Sequence, residues 1–173
     1  MRFIGAIVCL CSMTPICAAQ THPVEAARPS ATPNAQFEKM KTLVGDWEAK
    51  TPHGALLNTF RIFGEGSALL HLEKPEGSQE IITIFYPVGA ELRGDHYCFM
   101  KNQPRYAASA SSDPNVITFE FRDITNLSAS AEERHMHSTT WHFIDADHLT
   151  QEWYVWKNGK EFRVNRLEFT RVK

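Results

Sequence analysis

Cysteine is scarce in this chain, and its placement makes it scarcer. There are four cysteines in 173 residues, and Cys9, Cys11 and Cys17 all lie close to the start. There, a single charge at Arg2 precedes the apolar run FIGAIVCLCSM, which leads to small residues at Ala18 and Ala19. A charged start, a short apolar core and a small-residue cleavage site make a secretory signal peptide. The expected leader is residues 1–19, with cleavage at Ala19–Gln20. Val8, Leu10 and Ile16 precede the early cysteines, where lipoprotein processing wants a small residue, so no lipid anchor is expected. Cleavage would leave Cys98 alone, which excludes an intramolecular disulfide even in a compartment that permits one.

Excess positive charge is also missing. With 18 basic and 20 acidic residues the formal charge is -2, and loss of Arg2 would take it to about -3. Nucleic-acid binding usually shows a basic patch or stripe, so no such partner is expected. The apolar run at the start is too short for a mature spanning helix, and no later one is long enough, so no membrane span is expected. There is no G-x-S-x-G, H-E-x-x-H, P-loop or G-x-G-x-x-G. Glu48, Glu73 and Glu152 could form carboxylate pairs, but no spacing brings two together, and surface ion pairing is the default.

What remains is a linker and one domain. QTHPVEAARPSATPNAQ is rich in Pro, Ala, Ser and Thr without apolar periodicity, so 20–34 reads as a flexible tether. Asn34 suits a helix cap, with Phe37, Met40 and Leu43 on one side of a short helix from about Ala35 to Thr42. Beyond Gly45, turn signals such as Pro75-Glu76-Gly77, Asn102-Gln103-Pro104 and Asn158-Gly159 separate runs rich in β-branched and aromatic residues. About ten short strands with short connections predict an all-β, antiparallel up-and-down β-barrel over 35–173.

Alternation along each strand assigns faces. In GDHYCFMKNQPR, Gly94, His96, Cys98 and Met100 share a face that should point inward, and KNQPR reads as the turn at the barrel rim. His135, His137, Thr139, Trp141 and Phe143 share another expected inner face, as do Ile117, Phe119 and Phe121. Leu149, Gln151, Trp153 and Val155 make a third. The result is an aromatic interior with a few polar groups, a composition that suits a ligand pocket and equally a filled barrel.

The short helix followed by Gly45-Asp46-Trp47 resembles the G-x-W signature of lipocalins and other calycins. The longer pattern, HYC…NQPR with HMH and FIDADHLTQEW, resembles a family of secreted bacterial domains of unknown function with a lipocalin-like barrel. The resemblance implies that Trp47 plugs one barrel end beneath an Arg of the last strand, either Arg166 or Arg171. It implies a cavity and export to the periplasm or beyond, and it implies no reaction.

These readings converge on an exported barrel holding a small, largely apolar ligand, with no catalytic residue and no cofactor expected. The expected ligand wall comprises His96, Cys98, Met100, Asn102, Gln103, Arg105, His135, His137, Gln151 and Trp153. Arg105 beside two amides would offer a carboxylate bidentate contact. Two alternatives stay open. His96-x-Cys98 and His135-x-His137 space their donors about 6.5–7 Å apart along a strand. If the strands met, three nitrogens and one sulfur could hold a transition metal or haem, with or without enzyme activity. The other alternative is a structural or interaction module with a filled interior. The oligomeric state is open.

Overall fold

The computed structural model describes residues 34–127 and 133–173. The expected signal peptide and all of the linker except Asn34 lie outside the described residues. The first element is helix α1 (Ala35–Lys41). It is followed by β1 (Gly45–Thr51), β2 (Gly54–Phe63), β3 (Ala68–Pro75), β4 (Ile81–Val88) and β5 (Glu91–Tyr97). Then come β6 (Gln103–Ala108), β7 (Val116–Thr125), β8 (Arg134–Phe143), β9 (His148–Lys157) and β10 (Lys160–Arg171). Each strand pairs antiparallel with the next, and β1 pairs with β10, which closes the barrel. Closure leaves no sheet edge unpaired, the physical reason that ten strands curl rather than stay flat.

Helix α1 starts where the sequence places it. The Asn34 side chain accepts the Phe37 N–H at 2.9 Å and donates to the Ala90 carbonyl, fixing the helix to the β4–β5 turn. Phe37, Met40 and Leu43 are buried and cover one end of the barrel together with Trp47. The Trp47 indole donates to the Leu43 carbonyl at 2.7 Å, and the Arg171 guanidinium lies 4.2 Å above its ring. Arg171 also donates to the Thr42, Val44 and Ala146 carbonyls. Arg166 instead pairs with Glu152 and Glu168 on the outer face. Gly45 has φ +126°, and a Cβ there would stand 3.1 Å from the Arg171 guanidinium.

Above this plug the closed half of the barrel is filled with rings. Phe60, His71, Phe85, Phe119 and Trp141 are fully buried and stack or meet edge-to-face at centroid distances of 4.5–6.4 Å. Gly94 belongs to this packing, because a Cβ on it would lie 2.9 Å from the Phe85 ring. Gly94→Val is therefore expected to cost about 1–3 kcal/mol, as overpacking usually does. Denaturant unfolding measures it, and an unchanged midpoint would show that Phe85 yields freely.

The ladders shift register at three places, one of them in β10 between Glu161 and Arg163. On β8 the register with β9 passes from Met136↔Val155 to Ser138↔Tyr154, which makes His137 the extra residue of a β-bulge. Met136, not the histidines, therefore shares the inner face with Thr139, Trp141 and Phe143. His135 and His137 lie instead on the Trp156 side of the wall, correcting the face expected for them. A second shift, between Arg105 and Tyr106, offsets β6 against β7. The β7–β8 ladder runs only from Val116↔His142 to Phe119↔Thr139. Past that point Tyr106 Oη donates to the Met136 carbonyl and Asn102 Nδ2 to the Arg134 carbonyl, so side chains of β6 and of the turn before it reach β8 directly.

Candidate functional site

The connections β1–β2, β3–β4, β5–β6 and β9–β10 all turn at the end away from α1, and a cavity of about 450 Å³ opens there. That size falls within the usual range for small-molecule sites, roughly 300–1,000 Å³. Leu56, Ile81, Met136, Trp153 and Leu167 supply apolar wall, and His53, Glu76, Phe99, Arg163 and Arg166 stand among the lining residues. Two buried polar groups, His96 and Glu73, also line it.

His96 comes from β5, where alternation with Gly94 turns it inward. Its Nδ1 lies 2.8 Å from Thr83 Oγ1, and its ring packs 5.2 Å from Trp153. Its Nε2 is buried without a hydrogen-bond partner among the described residues. Burial drives its pKa down to about 3, so the ring is neutral at pH 7. Glu73 comes from β3, where Leu69, His71 and Glu73 face inward while Leu70 and Leu72 are half-buried on the other side. Burial raises its pKa to about 8, and no cation among the described residues offsets it. At neutral pH it is mostly a carboxylic acid, able to donate one hydrogen bond and accept others. An uncharged acid and an uncharged imidazole thus share a mostly apolar cavity.

Deeper polar groups accompany them. Among the described residues His71 has neither ring nitrogen paired, and its pKa is lowered, first by burial and then by His96. The Asn58 amide and Gln151 Nε2 also have no partner among the described residues, while Gln151 Oε1 accepts the Trp153 indole N–H.

Of the wall expected from sequence, His96 and Trp153 line this cavity. Gln151 points inward but lies below it. Cys98 is buried in the turn after β5, with its thiol pKa raised to about 11 mainly by burial, so it is not a thiolate at neutral pH. Met100 is half-buried against the core. The turn that ends β5 spans Cys98–Asn102, and QPR opens β6 rather than continuing the turn. Pro104 is tolerated because β5 pairs with β6 only from Arg105 onward. Gln103 Oε1 accepts from Thr125 and Asn126, and Arg105 is ion-paired with Asp123 on the outer wall and does not line the cavity. His135 is buried and His137 half-buried against Phe121 and Trp156, and the four donors His96, Cys98, His135 and His137 do not converge. Among the described residues no group of three His, Cys, Asp or Glu side chains is placed to hold a metal ion.

The residue that sequence reasoning missed is Glu73. ALLHLEK alternates apolar and polar, and the leucines look like the inner face. The available signal was that Leu69, His71 and Glu73 share parity, with His71 opposite Phe60 in the ladder. No protein-family model matches the chain, and no curated protein matches its sequence.

Proposed function

We propose that this protein binds a small, largely apolar molecule in the open half of its barrel, with an uncharged hydrogen-bonding group seated on His96 and Glu73. The observation that carries this reading is a mostly apolar cavity containing His96 Nε2, a buried polar atom with no partner among the described residues. Such an atom costs about 1–3 kcal/mol when unpaired, and a ligand group meeting it recovers that cost. The neutral state of both polar groups favours an alcohol, phenol or amide over an ion. The leader-like N-terminus and the lipocalin-like sequence pattern support export and a carrier role within the same proposal.

N-phenyl-1-naphthylamine, a neutral apolar fluorophore, tests it. The chain is expected to bind one equivalent with a Kd of about 1–100 µM, with the fluorophore brightening and tryptophan emission falling. Absence of any response would remove the carrier reading.

A further inference from the structure

The pair formed by buried His135 and half-buried His137, on the Trp156 side of the wall, has a geometry of its own. His135 Nε2 and His137 Nδ1 lie 3.1 Å apart. The His137 ring is held flat between Trp156, at 3.6 Å and 10°, and Phe121, at 4.6 Å and 15°. The bulge produces this, because it turns both histidines of an i, i+2 pair toward Trp156. Without the extra residue, regular alternation would put Thr139-side neighbours and histidines on the same face.

We propose that His135 and His137 chelate one divalent transition cation of the Zn(II) or Cu(II) class, with water completing its coordination. The distance supports this. Metal–nitrogen bonds of about 2.0–2.1 Å to two nitrogens this far apart subtend roughly 100°, between the square-planar and tetrahedral values. In the structure the two nitrogens share a hydrogen bond, and a bound ion would take its place as the rings turn their lone pairs toward it. Both rings are also available as ligands at pH 7, since burial lowers the pKa of His135 and brings that of His137 to about 4. The site is separate from the barrel cavity, so its fate is independent of the proposed carrier role.

Calorimetric titration of the full chain with Zn(II) tests the proposal. One equivalent is expected to bind, and His137→Ala, a change at a half-buried position, is expected to weaken binding at least about tenfold. His135→Ala should do the same, and His148→Ala, at the opposite end of the barrel, should not. Co(II) absorbance in the wild type should report nitrogen ligation that His137→Ala removes. No heat up to millimolar Zn(II) overturns the proposal. Binding unchanged in a folded His137→Ala, or lost instead in His22→Ala or His148→Ala, places the metal elsewhere and also overturns it.

Discussion

Glu73→Gln is expected to stabilise the protein progressively as pH rises, by about 3–5 kcal/mol between pH 4 and pH 9. The sign follows from the carboxyl's two environments. In the unfolded chain it ionises near 4.5, and in the barrel near 8. Below 4.5 both states hold the proton and no pH-dependent penalty arises. Between 4.5 and 8 the unfolded state releases the proton while the native state keeps it, so the wild type loses stability with each pH unit. Above 8 both have released it and the loss levels off. The full displacement corresponds to about 5 kcal/mol, and water reaching the cavity lowers the figure. Glutamine keeps the shape and hydrogen-bonding capacity and does not titrate. His96 and His71 add the opposite slope in both proteins, because their lowered pKa values cost stability as pH falls below 6.5. Their contribution cancels in the difference. Urea unfolding of both proteins across this range measures it, and parallel curves would mean that Glu73 ionises normally and faces water.

Trp47→Ala is expected to cost about 3–5 kcal/mol, the usual range for removing a large buried aromatic. Trp47 is 1% exposed and meets α1 through its indole N–H and the last strand through Arg171. Its loss leaves the Leu43 carbonyl unpaired and removes the face on which the Arg171 guanidinium rests, in addition to the cavity. Trp47→Phe keeps much of the apolar bulk and should cost less, with the lost hydrogen bond worth about 1 kcal/mol. Chemical denaturation separates the two variants. A loss below about 1 kcal/mol for alanine would show that α1 and Trp47 do not close the barrel.

The barrel and its plug were legible in the sequence because they rest on local signals. Asn34 caps α1 through its own side chain, Asn158-Gly159 turns with both residues at positive φ, and strict alternation puts Leu149, Gln151, Trp153 and Val155 inside. The site was only half legible. His96 and Trp153 follow alternation, but His135 and His137 do not, since one inserted residue reverses every face beyond it. Nothing in HMHS marks His137 as that residue. Its position is set by the neighbouring ladder, where Val155 and Tyr154 must stay opposite Met136 and Ser138. Glu73 escaped for a different reason: a strand with Leu70 and Leu72 on one face and His71 and Glu73 on the other reads more naturally the wrong way round. Only closure of the barrel makes the polar side the inner one.

The central claim is that the open half of the barrel is a binding cavity, and the most direct test is to fill it. Met136→Trp and Leu56→Trp each place a large ring among the lining residues, and near-ultraviolet circular dichroism shows whether the barrel stays packed. In folded variants, the affinity for N-phenyl-1-naphthylamine is expected to fall at least about tenfold, or 1.4 kcal/mol. Equal affinity in the wild type and both filled variants would put the fluorophore outside the cavity and contradict the account.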